Sequence, residues 1–258
     1  MKFNLPNQLE EADKFVQNPF VIFEIHNFMD DSDYDALVKE IKYCDEYNYI
    51  EGTGGKKKTA YTRSDLGQIE LPQFKKFVTE ITSRAFFQWF KKTHLPYFKR
   101  GLLTICVSKP KNIFFRIARR INRILSSPLS FYYIEVENSV IMKGASISPH
   151  TDSYLKRLSL VFYLPERALP EQMRIDLGTI FYGIKSGGQK WSRFQTKFLT
   201  KNETTEFLKS YQQAYISQFQ PNVCAGFIKN DISWHSVAEN KYDDYGRKVL
   251  VINVREEW

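Results

Sequence analysis

The chain contains four histidines in 258 residues, at positions 26, 94, 150 and 235. In "SISPHTDSYLKRLSLVFYLPE" (146–166), His150 and Asp152 stand two residues apart in front of an apolar, β-branched-rich run. Side chains two apart in an extended segment point to the same side, so this pair offers an imidazole nitrogen and a carboxylate oxygen to one point. An HxD pair alone is common by chance. His235 adds weight, because it lies in the β-type run "NDISWHSVAE" and is followed by Arg247. Two imidazoles and one carboxylate leave coordination positions open, a donor set suited to non-haem Fe(II) and oxygen activation, though other divalent ions accept the same donors. Zinc hydrolases with two histidines and a carboxylate usually carry HExxH, which is absent. His26, in an N-terminal strand, and His94, near a helix end in "KKTHLPYF", read as packing histidines.

The elements that would position these residues are β-type and lie late in the chain. After Ser126, short β-branched or aromatic runs at 131–144, 157–165, 177–184, 222–228, 232–238 and 247–256 are separated by turn residues. The segment 186–220 is polar, with a helix expected near 203–217. Before Ser126 the pattern predicts a strand at 19–28, an acid-capped helix at 30–44 and one long amphipathic helix from Leu71 to Phe98. A shorter amphipathic helix is expected at 112–125. The stretch 46–65 reads as a basic loop, since its "GTGGKKKT" fails the spacing of a phosphate-binding loop. Helices first and strands later, without βαβ alternation, argue for an α+β fold with a double-stranded β-helix (jelly-roll, cupin-like) core and packed N-terminal helices. We expect a single domain over 1–258, with about 1–128 a helical support region with a few strands and about 129–258 the catalytic core.

Composition narrows the class. Aromatic residues make up 16% of the chain, which favours a β-rich core or a ring-lined pocket. The opening residues lack the apolar stretch of a secretory leader, and no window is apolar enough to span a membrane. Cys44, Cys106 and Cys224 are isolated, which fits a reducing compartment and points to a cytoplasmic protein. The net charge is +8, and much of it lies between Lys99 and Arg123 without an intervening acid. That block reads as a solvated face, with an anionic partner as the alternative.

The pattern HxD, a distant His, then a basic residue a dozen positions on resembles the 2-oxoglutarate and Fe(II)-dependent dioxygenases, most closely their prolyl-4-hydroxylase-like branch. "KRLSLVFYLP", "LGTIFY" and "FIKNDISWHSVAENKYDDYGRKVLVINV" are similar to successive segments of that branch, over roughly residues 130–256. The resemblance implies that His150, Asp152 and His235 bind iron and that Arg247 binds the distal carboxylate of 2-oxoglutarate. A guanidinium suits that role as a planar, permanently charged fork. It also implies that Tyr163 assists the same carboxylate and that Lys156, at the pocket mouth, touches substrate. Fe(II), 2-oxoglutarate and O2 are the implied cofactors and co-substrate, with ascorbate in support, and succinate and CO2 are the implied co-products.

Two positions depart from the branch. Val249 stands where Ser or Thr is common, and Ile141 stands where Tyr is common, which leaves Ser146, Ser148 or Tyr133 as stand-ins. The expected activity is hydroxylation of an unactivated C–H bond in a small molecule, sugar or other metabolite, anionic ones included. Prolyl or peptidyl hydroxylation is the alternative. Nucleic-acid demethylases of the superfamily carry an RxNxTxR-like segment that "RKVLVINVR" lacks, which argues against nucleic acid as partner. Tyr61, Trp191 and Trp234 are candidate pocket walls that fit core packing equally well.

Overall fold

The computed structural model describes residues 1–42, 56–97, 132–153, 155–191, 198–243 and 245–256. Its strands form two antiparallel sheets. The larger has the order β1 (Lys14–Val16), β2 (Ile22–Ile25), β9 (Cys224–Ile228), β6 (Lys156–Tyr163), β11 (Arg247–Glu256), β4 (Tyr132–Ile141), β3 (Lys56–Tyr61). The smaller runs β5 (Ile147–His150), β10 (His235–Val237), β7 (Thr179–Ile184), β8 (Tyr211–Ser217). N-terminal strands occupy both edges of the larger sheet, so strands from both halves of the chain build it.

Alternation along the strands gives the larger sheet two different faces. Its outer face presents Ile134, Val136, Leu158, Leu160, Phe162, Leu250, Ile252 and Val254 to α1 (Asp31–Lys42), α2 (Pro72–Ile81) and α3 (Arg84–His94). Phe162 is the centre of this layer, stacked on Phe77 at 5.8 Å and flanked by Phe28 at 5.0 Å and Tyr34 at 5.8 Å. Gly226 lies opposite Phe23 in register, and a Cβ there would meet that ring at 2.1 Å. Only glycine lets the aromatic ring lie flat on β9. The inner face turns Val161, Tyr163, Ala225 and Val249 toward the smaller sheet.

Three local expectations change. The single helix over 71–98 is two helices, α2 and α3, broken at Thr82 and Ser83. Thr82 Oγ1 donates back to the Val78 carbonyl at 2.7 Å, and Ser83 Oγ accepts from the Phe86 amide at 3.3 Å, so hydroxyls end one helix and cap the next. The helix near 203–217 ends early. α4 (Glu171–Asp176) precedes β7, and α5 (Lys201–Ser210) starts on a Thr200–Glu203 capping box and gives way to β8, which pairs with β7 from Tyr211 to Ser217. The lysine run inside the expected loop forms β3, which among the described residues pairs with β4 only, and an edge strand tolerates lysines well. The expected helix at 112–125 and the whole basic 99–123 segment lie outside the described residues. Among the described residues, no helix is long and apolar enough to cross a membrane.

Candidate active site

Strand pairing brings the two distant histidines together. His150 ends β5 and His235 begins β10, and the two are direct cross-strand partners. Their ring centroids are 4.2 Å apart. Asp152 follows β5 with φ of 61°, the left-handed region that Asp enters more readily than most residues. The turn aims its carboxylate between the rings, with Oδ1 3.7 Å from His150 Nε2 and Oδ2 3.8 Å from His235 Nε2. One ligand atom from each of the three lies within 4.8 Å of the others, and all three residues are buried.

The orientation of the rings is fixed from behind. His150 Nδ1 lies 3.0 Å from the Ser148 carbonyl, and His235 Nδ1 lies 3.0 Å from the Ser233 carbonyl. A carbonyl only accepts, so each Nδ1 carries the hydrogen and each Nε2 lone pair faces the shared point. Burial holds both imidazoles below the usual histidine pKa, against the opposing pull of Asp152, so both are neutral at neutral pH. For Asp152, burial acts to raise the pKa, but the carboxylate is held well below its ordinary range, with the Lys156 ammonium the largest opposing influence. Two neutral nitrogens and one carboxylate oxygen, converging in a buried site, are donors that fit a divalent transition metal.

The same cavity, of about 70 Å³, is lined at its other end by Thr179, Val249 and Arg247. Arg247 starts β11 and is buried. Its Nε donates to the Leu177 carbonyl at 2.6 Å and its Nη2 to Thr179 Oγ1 at 3.0 Å. Its guanidinium carbon lies 5.6 Å from the Tyr163 ring centroid and 5.9 Å from that of Phe219. Among the described residues, no carboxylate lies within ion-pair distance of it. A buried cation of this kind calls for an anion. Gly178 matters here, because a Cβ would meet the Ser217 carbonyl at 2.5 Å and push the segment that presents Leu177 and Thr179 away from β8.

Other sequence candidates fall into place around this frame. The Tyr163 hydroxyl lies 2.9 Å from Thr179 Oγ1 and 3.2 Å from the Ser217 carbonyl, and Thr179 is the residue that lines the cavity. Lys156 Nζ donates to Asp152 Oδ1 at 2.9 Å. Arg247, Val249 and Val251 all line the cavity, as one face of a strand must. Tyr133 does not stand in at the Arg247 end. It is paired with Arg255, eight residues along β11 from Arg247, which is about 26 Å of strand. Ile141 sits opposite Arg247 but packs with Ala145 and Val237. Thr179, missed from the sequence, supplies the hydroxyl there; its place directly after the glycine of "LGTIFY" was the available signal. Ser159 was missed as well, and donates to Asp152 Oδ2 at 3.1 Å.

Trp234 and Tyr61 are core, not cavity wall. Trp234 packs with Phe207 and Tyr211 and donates Nε1–H to the Trp191 carbonyl, while Tyr61 packs on Phe74. Phe227, 4.5 Å from the His235 ring, lines the cavity instead. His26 is partly exposed beside Glu24, and His94 is enclosed by Phe23, Trp89 and Phe90.

No known family pattern matches the chain, and no curated protein sequence matches it. Among solved structures, a prolyl-4-hydroxylase from Pseudomonas putida superposes with a TM-score of 0.51 and 14% identity, covering 92% of this chain and 92% of its own. The non-haem α-ketoglutarate-dependent epimerase SnoN from nogalamycin biosynthesis is looser, at a TM-score of 0.46 and 10% identity, with 91% of this chain and 78% of that one covered. At such identities the likeness speaks to architecture alone. The chain has the α+β, jelly-roll-cored fold that the Pseudomonas putida hydroxylase exemplifies.

Proposed function

We propose that the protein is a non-haem Fe(II), 2-oxoglutarate-dependent dioxygenase that hydroxylates an unactivated C–H bond of a small molecule, sugar or other metabolite. The observation that carries this reading is a pairing within one cavity. A His-Asp-His donor set stands at one end, and a buried arginine without a carboxylate partner among the described residues stands at the other. A dicarboxylic co-substrate satisfies both ends at once, with one carboxylate toward the metal and the other on Arg247.

In this reading His150, Asp152 and His235 hold the iron. When bound, iron and 2-oxoglutarate supply the oxidising chemistry, with O2 consumed and succinate and CO2 released. The chain's own residues bind and orient. Arg247 offers charge-assisted donors to the distal carboxylate, and Thr179, which already accepts from Arg247 Nη2, has its own hydroxyl hydrogen left to offer the same group. Tyr163 supports both from beneath, its ring under the guanidinium and its hydroxyl on Thr179. Phe227 and Val251 give the cavity apolar walls. Ascorbate would serve to keep the iron reduced, and the isolated cysteines support a cytoplasmic setting.

The test is calorimetric titration of 2-oxoglutarate into the Mn(II)-loaded protein. Binding that requires the metal and disappears in Arg247→Met supports the reading; absence of binding to wild type overturns it. A substrate then reveals itself by stimulating succinate release in aerobic assays across sugars, polyols, anionic metabolites and proline-containing peptides. The fold shared with a prolyl-4-hydroxylase favours peptidyl proline as the second reading.

A further inference from the structure

Asp152 is engaged on both oxygens. Oδ1 accepts from Lys156 Nζ at 2.9 Å, and Oδ2 accepts from Ser159 Oγ at 3.1 Å. Behind these donors runs a chain of buried polar groups across three neighbouring strands. Ser159 Oγ, on β6, is 3.1 Å from Asn253 Oδ1 on β11, and Asn253 Nδ2 donates to Glu137 Oε1 on β4 at 2.9 Å. Glu137 lines the same cavity as Lys156 and acts as a second negative charge near it. Strands β4, β6 and β11 are hydrogen-bonded to one another along most of their length, so they form a rigid base for this chain of contacts.

Lys156 is well placed to govern the carboxylate. It is the first residue of β6, its amide donates to the Ser153 carbonyl at 3.1 Å, and it thereby closes the turn that directly follows Asp152. Its side chain is 12% exposed, and its ammonium is spent on Asp152. A lysine that contacted substrate from the pocket mouth would have to leave that carboxylate. Oδ1 is tied to an ammonium and Oδ2 only to a neutral hydroxyl, so Oδ2 is the oxygen better able to give charge to an ion, and the outer partners of a ligand set its orientation and its donor strength.

We propose that Lys156 is a positioning residue for the candidate ligand Asp152. It keeps one carboxylate oxygen engaged so that the other is presented to the ion, and its positive charge disfavours the trivalent state of that ion. The inference rests on the metal-centre reading above.

The test needs no substrate. Co(II) is titrated anaerobically into wild type, Lys156→Met, Lys156→Gln and Lys156→Arg, and the visible bands are recorded. The Fe(III)/Fe(II) midpoint is measured on the same proteins, with a soluble mediator exchanging the one electron. Wild type and Lys156→Arg should share bands and midpoint. Lys156→Met should show changed bands and a midpoint moved to lower potential. Lys156→Gln, which keeps a donor without the charge, should keep the bands and lose the midpoint. This variant also carries the test should Lys156→Met fail to fold. Unchanged bands and midpoint in both uncharged variants, with only a raised KM for a substrate, would overturn the proposal and make Lys156 a substrate contact. Wild-type protein that gives no Co(II) bands would instead bring down the metal-centre reading itself.

Discussion

The two faces of the seven-stranded sheet are built from the same strands and do opposite work. Along β11, Leu250, Ile252 and Val254 enter the helical layer, while Arg247, Val249, Val251 and Asn253 face the smaller sheet. Each face also holds buried histidine, and the comparison is instructive. His94, at the end of α3, is surrounded by Phe23, Trp89 and Phe90; its Nδ1 lies 2.7 Å from Thr93 Oγ1, and its Nε2 has no hydrogen-bond partner among the described residues. His150 and His235 face each other across a carboxylate, each with Nδ1 tethered and Nε2 free to bind. Burial depresses the pKa in all three. What separates a structural imidazole from a candidate ligand is therefore not burial but convergence of donors on one point. The outer face is optimised for packing, and the inner face keeps polar groups and a buried cation without a carboxylate partner among the described residues, which packing alone would not retain.

Substitutions can break that contrast, and the largest effect is expected on the inner face. Asp152→Ala should abolish Mn(II) and Co(II) binding as read by calorimetry and absorption, since one of three donors is lost and two remain. On the outer face, Phe162→Ala should cost about 3–5 kcal/mol of stability in urea titrations, a cavity effect, and leave metal binding in the folded fraction intact. Arg247→Met should weaken 2-oxoglutarate binding by 2–5 kcal/mol, roughly the loss of a buried charged partner. It should change folding stability by under about 1 kcal/mol, because a buried charge without a carboxylate partner gives way to an apolar side chain of similar length. A stability loss as large as that of Phe162→Ala would contradict the division of labour.

Smaller effects sharpen the comparison. Burial lowers the His94 pKa to about 3, whereas an unfolded histidine titrates near 6.5. Below pH 6.5 the unfolded chain takes up a proton that folded His94 refuses, so its contribution to stability is present above pH 6.5. It is lost as pH falls toward 3, at about 1.4 kcal/mol per pH unit. The wild-type minus His94→Phe difference in stability should carry this slope, and a flat difference would refute it. Smallest, Thr179→Val should weaken 2-oxoglutarate about tenfold, the value of one hydrogen bond to a charged group, without moving metal affinity.

Much of the site was legible in the sequence because it depends on short-range spacing and residue chemistry. His150 and Asp152 read as a pair two apart, and His235 and Arg247 stood out by type within a β-rich half. The jelly-roll core followed from the order of elements. What was not legible depends on partners distant in the chain. Thr179 became part of the Arg247 end only because the start of β7 comes within hydrogen-bond reach of the start of β11. Lys156 read as a residue at the pocket mouth, yet its reach to Asp152 depends on the turn closed at Ser153. The break between α2 and α3 turned on hydroxyls bonding back to the helix, which hydrophobic periodicity does not register. Strand β8 is held by pairing with β7, a tertiary contact that overrides the helical pattern continuing from α5.

The central claim is that the His-Asp-His set and Arg247 serve one metal-bound co-substrate. Its most direct test is anaerobic addition of Fe(II) and then 2-oxoglutarate, watching for the metal-to-ligand charge-transfer band. The account predicts a band in wild type that is absent in His150→Ala and in Arg247→Met at matched concentrations. No band in folded wild-type protein, or a band that survives unchanged in both variants, would contradict it.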